Sequence, residues 1–194
     1  AYGDNDTLAT IRERVPVTTR YLAYGHKISF GMISRATLDK RKVSSIAHRA
    51  AYDIVRYDQQ GCYSPQVFFV ERGGAISPRE FCGYLAHELA CFERKYPRRP
   101  LTIGESSDVA DWRHREEIKA SSEPERDITG DAAGAWTVAY AEDEDQFTPS
   151  GLNRTIKIVA IESLTDVVPR ISPYKAFLQT VGIAAPPEEL YRLA

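Results

Sequence analysis

The chain has 194 residues, of which 43% are hydrophobic and 27% charged. These proportions are typical of a globular protein and suffice for one domain with an apolar core. A net charge of −2 gives no electrostatic reason to expect a nucleic-acid or anionic-membrane partner. No apolar run reaches the roughly 18–20 residues that span a bilayer. Three cysteines at unrelated spacings predict neither a disulfide framework nor a metal site, and a reducing cytoplasm is expected.

The predicted elements alternate between helices and strands along the chain. Apolar residues at helical spacing and helix-capping residues predict helices over residues 7–15, 43–56, 77–92, 105–119, 164–171 and 174–181. Dense or alternating apolar residues predict strands over residues 21–24, 28–33, 66–71, 135–140 and 155–161. Strands that alternate with helices of 10–15 residues indicate an α/β layer fold.

Two polar segments are predicted to lie on the surface. Residues 121–131 contain Pro124 and Gly130 and are predicted to form a loop. The acidic run over 142–145 is predicted to be the solvated tip of a hairpin near 135–161.

The connector over residues 61–65 leads from a predicted helix into a predicted strand. Gly61 permits a close backbone approach or a positive φ, and Pro65 keeps Ser64 out of a helix. A tight turn at the end of a strand can present a thiol to a cleft, with backbone N–H groups free to bind an oxyanion. Cys62 is therefore a candidate nucleophile. Taken alone, a single cysteine is more simply interpreted as a buried, inert thiol.

The sequence around this cysteine resembles the aldehyde dehydrogenase superfamily and, within it, the LuxC-type acyl-CoA (fatty acyl) reductases. Residues 58–65, DQQGCYSP, are similar to the LuxC-type motif Q-Q-x-C-x-S-P. Residues 21–27, YLAYGHK, fall where the superfamily carries L-E-L-G-G-K, and residues 2–4, YGD, fall where it carries F-T-G-S. Residues 153–155, NRT, and residues 177–182, FLQTVG, are also similar to LuxC-type proteins.

The resemblance implies a cysteine nucleophile, NADP(H) as cofactor and an acyl thioester as substrate. Cys62 would accept the acyl group of an acyl-CoA or an acyl-protein thioester, and hydride from NADPH would reduce it to a fatty aldehyde. The Cys62 N–H would be one oxyanion donor, and the asparagine donor of the superfamily is expected upstream. Acyltransferase and acyl-protein synthetase partners, and a homo-oligomer of the full-length protein, are further implications.

The same alignment assigns several further residues. It puts Ala23 where hydrolytic aldehyde dehydrogenases have a glutamate base, which favours reduction over hydrolysis. His26 becomes the nearest candidate for proton transfer. Cofactor contacts are expected at four positions: Gly3, Asp4, Tyr24 and Gly25.

The resemblance also implies a domain organisation. Residues 1–34 are expected to be the last elements of a Rossmann-like cofactor-binding domain. Residues 35–194 are expected to form the three-layer α/β/α catalytic domain of an aldehyde dehydrogenase. Because the chain begins without Met and would hold only the end of the cofactor domain, we expect a piece of a longer protein that is inactive as a reductase by itself.

Two other functions are compatible with the residues. The first is a cysteine-dependent acyltransferase or thioesterase without a nicotinamide, and the second is a non-catalytic interaction module that retains Cys62 for packing. Cofactor dependence distinguishes the first from a reductase. Thiol reactivity at Cys62, compared with Cys82 and Cys91, distinguishes the second from both enzymes.

Overall fold

The computed structural model describes the whole chain except five residues: Tyr2, Asp4, Tyr24, His26 and Ala194. Within the described residues, six strands form a single sheet: β1 (Ile28–Ile33), β2 (Pro65–Glu71), β3 (Arg126–Gly130), β4 (Thr137–Ala141), β5 (Thr155–Ile161) and β6 (Leu178–Ala184). The strand order is β3-β4-β5-β2-β1-β6. Neighbouring strands are parallel except for the antiparallel pair β3–β4.

The helices are α1 (Asn5–Arg14), α2 (Val43–Val55), α3 (Pro78–Lys95), α4 (Ile103–Ser122), α5 (Val167–Ile171) and α6 (Pro187–Leu193). Capping boxes begin the two longest of them. Ser77 and Glu80 begin α3, and Thr102 and Glu105 begin α4, so that otherwise unpaired N–H groups of each first turn are satisfied. None of the helices within the described residues has the length and apolar character that crossing a membrane requires.

The sheet is covered on both faces, which confirms the predicted three-layer α/β/α arrangement. On one face, Phe68 and Ile156 pack with apolar residues of α2 and α3, including Phe81. On the other face, Phe69 packs with Val167 of α5. Strands buried on both faces read as continuous apolar runs, and every residue of β5 is buried.

The predicted boundary between residues 34 and 35 stays a prediction. β1 lies before that boundary, yet it pairs with β2 on one side and with β6 on the other. Residues 28–33 therefore contribute a central strand to the sheet that also contains the elements after the boundary.

The predicted hairpin near 135–161 is wrong. β4 and β5 are parallel neighbours, and the antiparallel partner of β4 is β3. β3 lies within the segment that was expected to be a loop over residues 121–131. Its side chains are mostly polar and exposed because it forms one edge of the sheet, so the sequence there lacks the apolar signal of a strand.

Two further expectations about secondary structure are corrected. The helix predicted over 174–181 is replaced in its second half by β6, which pairs in parallel with β1 along its whole length. Residues 21–23 lie outside regular secondary structure rather than in a strand. In β6 the pairing with β1, rather than local propensity, decides the conformation.

The acidic run is solvated only in part: Asp143 and Asp145 are exposed, whereas Glu144 belongs to a buried charge cluster. The ammonium of Lys157, only 1% exposed, lies 2.8 Å from Glu116 Oε1 and 3.0 Å from Glu144 Oε2. Burial by itself would raise the pKa of Glu144, but the charge and hydrogen bond of Lys157 lower it below the ordinary value. This cluster joins β5 to α4 and to the segment after β4.

Candidate active site

Cys62 lies in a turn at the amino-terminal end of a central strand. The turn is closed by the Ser64 N–H, which donates to the Gly61 carbonyl at 2.9 Å, and β2 begins at Pro65. The Cys62 side chain is exposed. Because β1, β2, β4, β5 and β6 run in the same direction, the segments that precede them meet at this edge of the sheet. The predicted nucleophile is thus accessible and held by a rigid element.

The backbone before Cys62 is left-handed over three residues. Tyr57, Asp58 and Gln59 have φ values of 53°, 50° and 64°. Residues other than glycine adopt this region at a cost of about 1–2 kcal/mol each. Such a run persists only where surrounding contacts fix it, and strained backbone of this kind clusters at functional sites.

A second left-handed run lies against the first. Residues 152–154 have φ values of 53°, 51° and 69° and directly precede β5. The Gln60 side-chain amide donates to Asn153 Oδ1 at 2.9 Å. The two segments, about 90 residues apart in sequence, therefore fix each other's conformation. Below, the cysteine loop means residues 57–64, and the support loop means residues 152–154.

Gln59 connects the cysteine loop to β2 and β5 through hydrogen bonds. Its Nε2 donates to the carbonyl of Pro65 at 2.7 Å and to that of Thr155 at 2.9 Å, and its side chain is buried. One amide group thereby bridges the first residues of β2 and β5. Its Oε1 is buried without a hydrogen-bond partner within the described residues.

Arg154 supplies the charge that holds the two loops together. Its guanidinium lies 2.6 Å from Asp58 Oδ1 in the cysteine loop and 2.5 Å from Glu93 Oε2 near the end of α3. Arg154 is 3% exposed, so these ion pairs are largely shielded from water. The backbone N–H of Arg99 also donates to Asp58, at 3.3 Å.

The peptide bonds on either side of Cys62 are held through their carbonyl groups. Ser64 binds the Gly61 carbonyl, and the hydroxyl of Ser29 on β1 donates to the Cys62 carbonyl at 2.7 Å. The N–H groups of Cys62 and Tyr63 have no acceptor within the part of the chain that the structure describes. They are available as donors to a negatively charged oxygen.

Two tyrosines and an arginine of the segment around Cys62 contact one another. The rings of Tyr57 and Tyr63 meet edge to face with centroids 6.3 Å apart, and the Arg56 guanidinium lies 5.5 Å from the centroid of the Tyr57 ring. Desolvation, together with the neighbouring Tyr57, raises the pKa of Tyr63 above its ordinary value. Tyr63 is therefore a neutral hydroxyl at physiological pH.

The other predicted site residues are not brought to Cys62 by any described contact. His26, Asp4 and Tyr24 lie outside the described residues. Gly3 and Gly25 lie against the first turns of α1. A Cβ at Gly25 would lie 2.4 Å from Asn5 Oδ1, so packing on α1 accounts for this glycine.

The cavity beside Gly25 does not include Cys62. It has a volume of about 340 Å³ and is lined by Ala23, Arg12 and Lys27, among others. The Lys27 ammonium donates to the Ala176 carbonyl at 3.3 Å. Asp6 in the first turn of α1 opposes a phosphate at that helix end. The described residues likewise include no group of three or more His, Cys, Asp or Glu suited to a metal ion.

The remaining cysteines have different surroundings. Cys82 is buried in α3, and burial raises the pKa of its thiol far above the ordinary value. Cys91 is half-buried, and its sulfur lies 3.6 Å from His87 Nε2 and 3.1 Å from Arg94 Nη2. Cys91 is thus a natural reference for the reactivity of Cys62.

Comparison with known proteins identifies relatives of both the sequence and the fold. The family model described as acyl-CoA reductase (LuxC) matches residues 1–194. The long-chain acyl-protein thioester reductase 2 of Photobacterium leiognathi is 27% identical over 185 residues, which cover 95% of this chain. The chain spans about a third (35%) of the length of that relative.

Solved structures, aldehyde dehydrogenases among them, show the same fold. A mutant of proline utilization A from Bradyrhizobium japonicum matches all of the chain with a TM-score of 0.71 at 13% identity, over 20% of its own length. A mutant of aldehyde dehydrogenase C from Pseudomonas syringae, in complex with NAD⁺ and octanal, matches 99% of the chain with a TM-score of 0.68 at 11% identity. That match covers 41% of the dehydrogenase.

Proposed function

The chain belongs to the LuxC family of acyl-CoA reductases, and from this premise we propose that it carries the acyl-accepting site of an enzyme that reduces fatty acyl thioesters to fatty aldehydes. The observation that supports the proposal is the geometry of Cys62. Its side chain is exposed on a turn whose two adjoining peptide bonds are fixed, and the N–H groups of Cys62 and Tyr63 are unused within the described chain. An accessible thiol beside free N–H donors suits acyl transfer.

The proposed first step is thioester exchange. The Cys62 thiol loses its proton, and the thiolate attacks the carbonyl carbon of the acyl donor. The carbonyl oxygen becomes negatively charged and accepts hydrogen bonds from backbone N–H groups, of which the Cys62 N–H is the nearest along the chain. The bond between carbon and donor sulfur then breaks, the donor thiolate takes up a proton, and the acyl group remains on Cys62.

The proposed second step is reduction of the bound acyl group. A reduced nicotinamide, proposed to be NADPH, supplies the hydride in the complete reaction. The role assigned here to the described residues of this chain is to accept and orient the acyl group. The acyl donor is proposed to be acyl-CoA or an acyl-protein thioester, the substrates named for the family and for the Photobacterium relative.

A burst assay tests this function. The chain is mixed with a long-chain acyl-CoA in the absence of nicotinamide, and released CoA is separated and counted. We expect one CoA per chain and then no further release, because no hydride is present and the alignment puts Ala23 where hydrolytic aldehyde dehydrogenases have a glutamate base for water. Cys62→Ala should abolish the burst, and the matched variant Cys91→Ala should retain it.

Two results would contradict the proposal. The absence of any burst from the wild-type chain would show that Cys62 does not accept acyl groups. Sustained release that depends on Cys62 would indicate a thioesterase instead, since hydrolysis would then regenerate the thiol without a nicotinamide.

A further inference from the structure

The hydrogen bond that closes the turn around Cys62 does not fix the orientation of the central peptide. In a four-residue turn closed by a bond between the first carbonyl and the fourth N–H, the central peptide can face in either of two directions. These two directions distinguish the common turn types. In the turn over residues 61–64, the central peptide joins Cys62 to Tyr63. A contact from outside the turn is needed to select one direction.

Ser29 provides that contact. Its side chain is 1% exposed, and its hydroxyl donates to the Cys62 carbonyl at 2.7 Å. Ser29 lies opposite Pro65 in the pairing of β1 with β2, and proline has no N–H to donate to the ladder. The register also shifts by one residue between Ser29 and Gly31. The hydroxyl therefore links β1 to the turn just before β2, next to the point where the pairing of the two strands is interrupted.

We propose that Ser29 is a positioning residue for acyl transfer, which holds the 62–63 peptide so that the Tyr63 N–H acts as an oxyanion donor beside the Cys62 N–H. The N–H and carbonyl of a trans peptide lie on opposite edges of one plane. Because the buried Ser29 hydroxyl holds the carbonyl, the Tyr63 N–H points away from the interior, toward the exposed side where Cys62 lies. This inference rests on the proposed function and adds a second donor and its support to the site.

The energetic consequence concerns charge that develops during the reaction. If the peptide turned over, the carbonyl oxygen would replace the N–H and would oppose a negatively charged acyl oxygen. Removing one oxyanion donor lowers rates by about 10²–10³-fold. Without Ser29 the peptide is free to turn but is not forced to, so we expect a smaller loss of about 10- to 100-fold in the rate of acylation.

The test compares two reactions of the same thiol. Acylation by a long-chain acyl-CoA develops an oxyanion, whereas alkylation by iodoacetamide displaces iodide and develops none. Ser29→Ala should slow acylation of Cys62 by about 10- to 100-fold and leave its alkylation rate unchanged. Ser29→Thr, which keeps the hydroxyl, should restore acylation.

Ser34→Ala is the matched control. Ser34 follows β1 at its other end, is also fully buried, and accepts a hydrogen bond from the Ala36 N–H at 3.2 Å. This variant loses a buried hydroxyl far along the strand from Cys62, and both of its rates should equal those of the wild type.

Each outcome decides the proposal. Equal slowing of acylation and alkylation in Ser29→Ala would show a general structural role, and unchanged acylation would show no role; either result overturns the inference. A wild-type chain that is alkylated but never acylated would overturn the proposed function itself. If the wild type is acylated normally but Ser29→Ala does not slow acylation selectively, the Ser29 inference fails while the proposed function stands.

Discussion

At the scale of single residues, the candidate site is a short strained loop held by buried polar contacts. The left-handed residues before Cys62 lie against a second left-handed run. The cysteine loop and the support loop are joined by a hydrogen bond from the Gln60 side-chain amide to Asn153 and by an ion pair between Arg154 and Asp58. Each contact has one partner in the cysteine loop and one in the support loop. The strain is therefore maintained by tertiary interactions rather than by the local sequence.

Of these contacts, the ion pairs of Arg154 are expected to contribute most to the free energy of unfolding. Arg154→Met removes the partner of two carboxylates, Asp58 and Glu93, that are shielded from water. Removing one member of a buried ion pair costs about 3–5 kcal/mol. We expect a loss of this size in the free energy of unfolding, measured by urea denaturation, and slower acylation of Cys62 as the loop relaxes.

The control for this variant is Arg113→Met. Arg113 faces Glu117 one turn along α4 at 3.9 Å on the surface, where a pair of this kind contributes about 0.5 kcal/mol or less. If the two substitutions cost the same, Arg154 does not hold the loops together.

The turn at Cys62 could be predicted from the sequence, but its supports could not. Gly61 and Pro65 are local signals, and they correctly predicted the turn; the thiol that it carries is exposed. The contacts of Ser29 and Arg154 with the loop join segments that are far apart in the chain, so no local pattern indicates them. The similarity of residues 153–155 to LuxC-type proteins was the one available signal for the support loop.

At the scale of elements, the correct predictions are those with strong apolar periodicity. The helices α2, α3 and α4 and the central strands β2 and β5 lie where the apolar pattern predicted them. The edge strand β3 was missed because its side chains are mostly polar. The edge strand β6 was missed because its first residues continued a predicted helix, and only the pairing with β1 defines it as a strand. The parallel pairing of β4 with β5 was missed because strands adjacent in sequence usually suggest a hairpin.

The charge cluster that joins β5 to α4 makes stability depend on pH. The pKa of Glu144 lies below the ordinary value of 4.5, so above 4.5 the carboxylate is charged and its full stabilisation is present. As pH falls below 4.5 the unfolded chain binds this proton more readily than the native chain does, and stability is lost. We expect the free energy of unfolding of the wild type to decline through this acid range.

Glu144→Gln isolates the contribution of this carboxylate. The variant should be less stable than the wild type at neutral pH, and its stability should change less on acidification, as followed by denaturant unfolding at several pH values. The surface variant Glu117→Gln should behave like the wild type. If the free energy of unfolding of Glu144→Gln depends on pH in the same way as that of the wild type, this carboxylate does not contribute to the pH dependence of stability.

At the scale of the whole molecule, the sheet brings the site together. The two strands that follow the cysteine loop and the support loop are adjacent in the sheet, and β1 beside them carries Ser29. The aldehyde dehydrogenase fold therefore explains why residues from three parts of the sequence surround one thiol.

The central claim is that Cys62 forms a thioester with an acyl group, and one measurement tests it most directly. The chain is incubated with a long-chain acyl-CoA, its intact mass is determined, and the modified residue is located by peptide mapping. We predict the gain of one acyl mass, located on Cys62 and absent from Cys62→Ala. An unmodified wild-type chain, or an acyl group located on Cys91, would contradict the claim.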